Sequence, residues 1–151
     1  EYPIDTTWKY KSMRVLNPEA SRPVITDFSI FGADGENHTQ EVLQGNKLLL
    51  IVQNTDKTDR DRFTEINQLL QAAAKSRKQI TPLIITSSSP REFDAFRHDV
   101  NLPGTFYFAD ATVLKSMIRS NPGFILLQNG VVRGKYHYHD IPDISKLETL
   151  L

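Results

Sequence analysis

Leu48, Leu49, Leu50, Ile51 and Val52 form an unbroken apolar run between the polar residues Asn46-Lys47 and Gln53-Asn54. A short run of this kind is the signature of a strand covered on both faces, and such a strand needs a layer of helices on each side of its sheet. The residues that follow supply those layers. Phe63, Ile66, Leu70 and Ala73 recur at helical spacing. Thr58 and Asp61 stand before them like an N-cap and its N3 acid, which predicts a helix of about four turns. Leu83, Ile84 and Ile85 give a second buried strand. Ser89, Pro90 and Glu92 then set out a capping box with proline at the first helical position, ahead of Phe93, Phe96 and Val100.

Phe106 to Phe108 reads as a short strand, and Asp110 is a good cap for a helix burying Val113, Leu114, Met117 and Ile118. Gly123 to Leu127, the turn Gln128-Asn129-Gly130 and the strand Val131 to Tyr138 together predict a β-hairpin. The end, Asp143 to Leu151, is helical in pattern through Ile144, Leu147 and Leu151. Upstream, Thr26, Phe28 and Ile30 alternate with Asp27 and Ser29 in a half-buried strand, Val24 to Phe31, closed by a turn at Gly32 to Gly35. Residues 1–23 carry Trp8, Tyr10, Met13, Val15 and Leu16 between prolines, as extended structure broken by turns with a strand near Trp8 to Leu16. The expected organisation is an extended segment, 1–23, packing on or linking to one α/β domain, 24–151. The first crossover demands parallel strands and the hairpin adds antiparallel ones, so the sheet is mixed, with helices on both faces.

Composition narrows the function. A chain of 151 residues can bury roughly 70% of its unfolded surface around one core. Eighteen Lys and Arg against eighteen Asp and Glu leave no net charge, which removes the field that draws a protein onto nucleic acid. No apolar run approaches the ~20 residues of a membrane span, so a soluble chain is expected. The absence of cysteine excludes disulfides, thiolate nucleophiles and sulfur-ligated metals, and leaves the compartment open.

Several side-chain groups invite a chemical reading. His137 and His139 alternate with Arg133 and Lys135 on one face of the last strand and could share a metal, with Asp140 or His38 completing the set. Two ligands are too few and the neighbouring cations oppose an ion, so an exposed, non-ligating pair is the expectation. Asp94, Arg97, His98 and Asp99 alternate with Phe93 and Phe96 as a solvated helix face does. Ser87, Ser88 and Ser89 lack the G-x-S-x-G context of a hydrolase elbow. Tyr107, Tyr136 and Tyr138 flank the hairpin as residues of a core edge. No glycine-rich phosphate loop is present, and no cofactor is expected.

The order of elements resembles the thioredoxin-like fold, and Asn121-Pro122-Gly123 before Phe124 to Leu127, with Asn129-Gly130-Val131 after it, strengthens the resemblance. It implies a cis-proline at Pro122. The chain is also similar over nearly its whole length to the carboxyl-terminal soluble region of bacterial DoxX-like integral membrane proteins. That similarity lies in Tyr2-Pro3-Ile4-Asp5-Thr6-Thr7-Trp8, in Ile25-Thr26-Asp27-Phe28-Ser29-Ile30, and above all in Leu114 to Gly123.

Where the fold's CxxC would lie, between the central strand and the long helix, this chain has Asn54, Thr55, Asp56, Lys57, Thr58 and Asp59. The resemblance therefore carries over no redox activity. It implies a non-catalytic binding or scaffold module whose groove is formed by Asn54 to Asp59 with Asn121 and Pro122. The partner would be a protein or the membrane portion of the same full-length chain, on the extracytoplasmic side. Acidic residues at a helix N-terminus also have a purely structural use for that loop. The alternative function is a metal-binding or acid-base protein using His137 and His139.

Overall fold

The computed structural model describes residues 28–151. The expectations for segment 1–23 and for the strand before Phe28 lie outside the described residues. The sheet has five strands in the order β3-β2-β1-β4-β5, and the apolar run occupies its centre. β1 (Asn46–Val52) pairs in parallel with β2 (Ile80–Thr86) on one side and antiparallel with β4 (Gly123–Gln128) on the other. β3 (Phe106–Phe108) extends the parallel side, and β5 (Val131–His137) closes the antiparallel side as the second arm of the hairpin.

Alternation along β1 builds two cores. Leu48, Leu50 and Val52 pack with Phe63, Ile66 and Leu70 of α2 (Phe63–Ala74), Phe93 and Phe96 of α3 (Pro90–Asp99), and Leu147 of α5 (Ile144–Thr149). Leu49 and Ile51 face the other way, onto Val42 of α1 (Thr39–Leu43) and Leu114 of α4 (Ala111–Met117). All five β1 residues from Leu48 to Val52 have no exposed surface. Burial of a side chain of this size is worth about 1.5–3 kcal/mol. Pro82, inside β2, costs the sheet little, because pairing with β3 covers only Ile84 to Thr86.

The caps follow the sequence signals with one exception. Ser89 and Glu92 make the reciprocal capping box of α3, Asp110 accepts from Thr112 and Val113 at the start of α4, and Asp143 accepts from Lys146 at the start of α5. The hairpin turns through Asn129 and Gly130 at φ 48° and 80°, the left-handed pair that a two-residue turn requires. α2 departs from expectation. It begins at Phe63 after an Arg62 that offers no side-chain cap, while Thr58 and Asp61 lie in the loop ahead of it. Thr58 lies five residues before the helix start, with its hydroxyl bonded to the Asn54 carbonyl and to Asn121.

The five-residue α1 was not foreseen. Of the anticipated strand ending at Phe31, the described part makes only isolated bridges, from Phe31 to Asn37 and to Phe108. Ile30 is buried as its alternation required, and the Gly32 to Gly35 turn is present. Among the described residues no helix is long and apolar enough to cross a membrane.

Candidate functional site

β1 delivers the chain at Gln53 to the C-terminal end of the central strand, where a loop must turn back toward α2. Gln53 is only 9% exposed, and its main-chain groups and side-chain nitrogen all find partners. Its main-chain N–H donates to Asn121 Oδ1 at 3.0 Å, and its Nε2 donates to the carbonyls of Ile118 at 2.5 Å and Ser120 at 3.2 Å. Its carbonyl accepts from Ser87 Oγ. Asn54 then opens a 3-10 turn (Thr55–Lys57), its side chain accepting from the Asp56 N–H at 2.8 Å. Thr55 donates its N–H to Ser88 Oγ at 3.1 Å. The loop is thus held from the β2–α3 connection on one side.

On the other side it is held by Asn121. Asn121 Oδ1 accepts from Gln53 N–H and lies 3.0 Å from Thr58 Oγ1, while Nδ2 donates to the Asn54 carbonyl at 3.1 Å. The Asn121 carbonyl accepts from the Asp59 N–H at 3.3 Å. Thr58 Oγ1 is also 2.5 Å from the Asn54 carbonyl, so its single proton is shared between two acceptors. The Asn121–Pro122 peptide is cis and Pro122 is buried, its carbonyl accepting from Ser120 Oγ.

The expected groove residues therefore do meet, but as a laced structure. Thr55, Thr58 and Pro122 are buried, Asp59 and Asn121 are half-buried, and Asn54, Asp56 and Lys57 form an exposed lip. Among the described residues no histidine or carboxylate bonds the hydroxyls of Thr55, Thr58 or Ser88, so nothing activates them as nucleophiles.

The other candidates separate. His137 and His139 do lie on one side, but their rings stack 5.0 Å apart and 8° from parallel. Imidazole lone pairs lie in the ring plane, so stacked rings do not converge on one ion. His137 Nδ1 is moreover occupied by the His139 N–H at 3.1 Å. His38 packs 5.4 Å from Tyr107 of β3, at the opposite edge of the sheet from β5, and cannot complete their set. Lys135 is turned away to the Met117 carbonyl at 2.7 Å.

On α3, Arg97 pairs with Asp94 at 2.8 Å and lowers its carboxyl below the usual range, as part of an exposed ion-paired face. Tyr107 is buried, whereas Tyr136 and Tyr138 are half-buried.

One cluster escaped the sequence reading. His38 stands between two carboxylates, with Nδ1 2.9 Å from Glu41 and Nε2 3.2 Å from Asp34. Hydrogen bonds that its ring donates to Glu41 first, then to Asp34, raise its pKa above the ordinary histidine value. The available signal was an acid four residues before and three after a histidine, a spacing with no established motif.

No family model and no curated protein sequence matches the chain. Solved structures do. A thiol-disulfide oxidoreductase from Bacteroides fragilis NCTC 9343 superposes with a TM-score of 0.61 at 19% identity, over 83% of this chain and 98% of that one. Yeast Sco1 with copper bound gives 0.58 at 13% identity, over 82% and 83%. The exposed lipoprotein thioredoxin of Streptococcus pneumoniae strain TIGR4 gives 0.54 at 14%, over 82% and 99%. At these identities the likeness is one of architecture, and the chain has the thioredoxin-like fold, built without a single cysteine.

Proposed function

We propose that this chain is a non-catalytic thioredoxin-like binding or scaffold module, carried by a DoxX-like membrane protein on the extracytoplasmic side. The observation that supports a non-catalytic role most directly is the lacing of Asn121 to Gln53, Asn54, Thr58 and Asp59. Disulfide exchange needs an attacking thiol. Here there is no thiol, and the Asn121 carbonyl is already used by Asp59. Asn54, Asp56 and Lys57 are the exposed part of this loop, and the partner engages that lip.

The membrane attachment rests on the similarity in Leu114 to Gly123 and is in keeping with the exposed lipoprotein among the structural relatives. Fractionation of the native protein tests it, with recovery in the carbonate-washed membrane pellet as the expected result and recovery in the soluble fraction as the contrary one. Affinity capture from those membranes tests the binding role. The triple variant Asn54→Ala, Asp56→Lys, Lys57→Glu is expected to lose partners that the unaltered protein retains, and an unchanged partner set would overturn the reading.

A further inference from the structure

We propose that Asp34, Glu36 and His38 form a site for one divalent transition-metal ion of the Zn2+ type, open to the cavity beside Tyr107. One ligand atom from each of the three residues lies within 4.8 Å of the others. Bonds to such an ion are about 2.0–2.2 Å long, which places neighbouring ligand atoms about 3–4 Å apart. His38 Nε2 and Asp34 Oδ2, at 3.2 Å, already have that separation.

The surrounding residues orient these ligands. Glu41 Oε2 lies 2.9 Å from His38 Nδ1 and accepts its N–H, while Nε2 lies 3.2 Å from Asp34, where an ion would take the place of the proton shared between them. This is the carboxylate–imidazole arrangement that fixes a metal-bound histidine from behind. Asp34 is steadied by the Glu36 N–H, which donates to Oδ1 at 2.9 Å. Both ligands close over bare Gly32. A Cβ at that position would come within 2.5 Å of Asp34 Oδ1 and 2.9 Å of His38 Nε2.

A separate observation comes from β3. Tyr107 is 7% exposed, its ring is 5.4 Å from His38, and its hydroxyl has no hydrogen-bond partner among the described residues. With Asp34, His38, Thr105 and Phe106 it lines an open cavity of about 410 Å³. Three protein ligands leave coordination positions free on that side, where a metal-bound water or small ligand can accept the phenol proton in a hydrogen bond.

Charge and donor type select the ion. Asp34, Glu36 and Glu41 surround one imidazole, and among the described residues no lysine or arginine pairs with them. An imidazole ligand with two carboxylates suits Zn2+ and its neighbours, and is a poor match for Mg2+ or Ca2+, which take oxygen.

Calorimetric titration of the untagged, chelator-treated chain with Zn2+ tests the site, with Ca2+ as a parallel arm. One Zn2+ per chain is expected, unaffected by excess Ca2+. Glu36→Gln should weaken it, without disturbing the fold, because the Glu36 side chain makes no hydrogen bond among the described residues. His38→Ala should abolish it, and Glu41→Gln should weaken it roughly 10- to 100-fold, as loss of a supporting carboxylate does. His137→Ala should leave it unchanged. Absence of Zn2+ binding, binding that survives both Glu36→Gln and His38→Ala, or binding lost with His137→Ala would each overturn the assignment.

Discussion

Thr58 and Asn121 are hydrogen-bonded side chain to side chain at 3.0 Å across a separation of 63 residues, between the loop after the central strand and the residue before Pro122. The same carboxamide also holds Gln53 and Asn54. One side chain thereby ties the loop after the central strand to the residue before Pro122.

Asn121→Ala leaves the Gln53 N–H without its partner, while the Asn54 carbonyl still accepts from Thr58 Oγ1 and from the Lys57 N–H. A buried group left unpaired costs about 1–3 kcal/mol, and urea denaturation should show a loss in that range. Amide exchange should accelerate at Asp56 and Asp59, while the β1 amides stay protected. Unchanged exchange in the loop would mean that Asn121 does not hold it.

The pair itself can be isolated. Thr58→Val, Asn121→Ala and the double variant form a cycle whose coupling is expected to be on the order of 1 kcal/mol. Full additivity would show that the shared proton of Thr58 goes to the Asn54 carbonyl alone.

Acid should weaken the start of α3. The Ser89 N–H, then the Ser89 hydroxyl, hold the Glu92 carboxyl below its ordinary value. Between the folded and unfolded values the native state binds fewer protons. The stabilisation is therefore complete above the ordinary glutamate pKa of about 4.3, and is lost as pH falls through the lowered folded value. Melting curves of the unaltered chain and Glu92→Gln should differ most near neutrality and converge in acid. A gap that widens in acid would contradict the cap.

In the larger core, Phe93 is fully buried, with its ring 5.1 Å from Phe106 and 6.1 Å from Phe96. Phe93→Ala should cost about 3–5 kcal/mol by equilibrium unfolding. A loss below 1 kcal/mol would mean that the cavity collapses at small cost, against the packing seen here.

What the sequence made legible was local. The run Leu48 to Val52, the Ser89-Pro90-Glu92 box and the Asn129-Gly130 turn each state their structure through periodicity, capping or left-handed backbone, and each was readable without neighbours. Thr58 was misleading because the same hydroxyl that suits an N-cap is used by a residue far along the chain. The groove residues were brought together by the fold resemblance, yet nothing in their order showed that Asn121 would lace them shut. Asp34, His38 and Glu41 stayed hidden because α1 is too short to show a period, and Tyr107 joins them only through the pairing of Phe31 with β3. His137 and His139 were placed correctly on one side, but ring stacking is set by side-chain torsions that spacing does not report.

The central claim, that this module works through the lip at the former thiol position, is tested most directly by a photo-crosslinking residue placed singly at Asp56, Lys57 or Arg77 in living cells. Arg77 lies before β2, at the opposite end of the sheet from the lip. Adducts to a discrete partner from positions 56 and 57, and none from 77, are the expected result. Adducts from 77 alone, or none from the lip, would contradict the account.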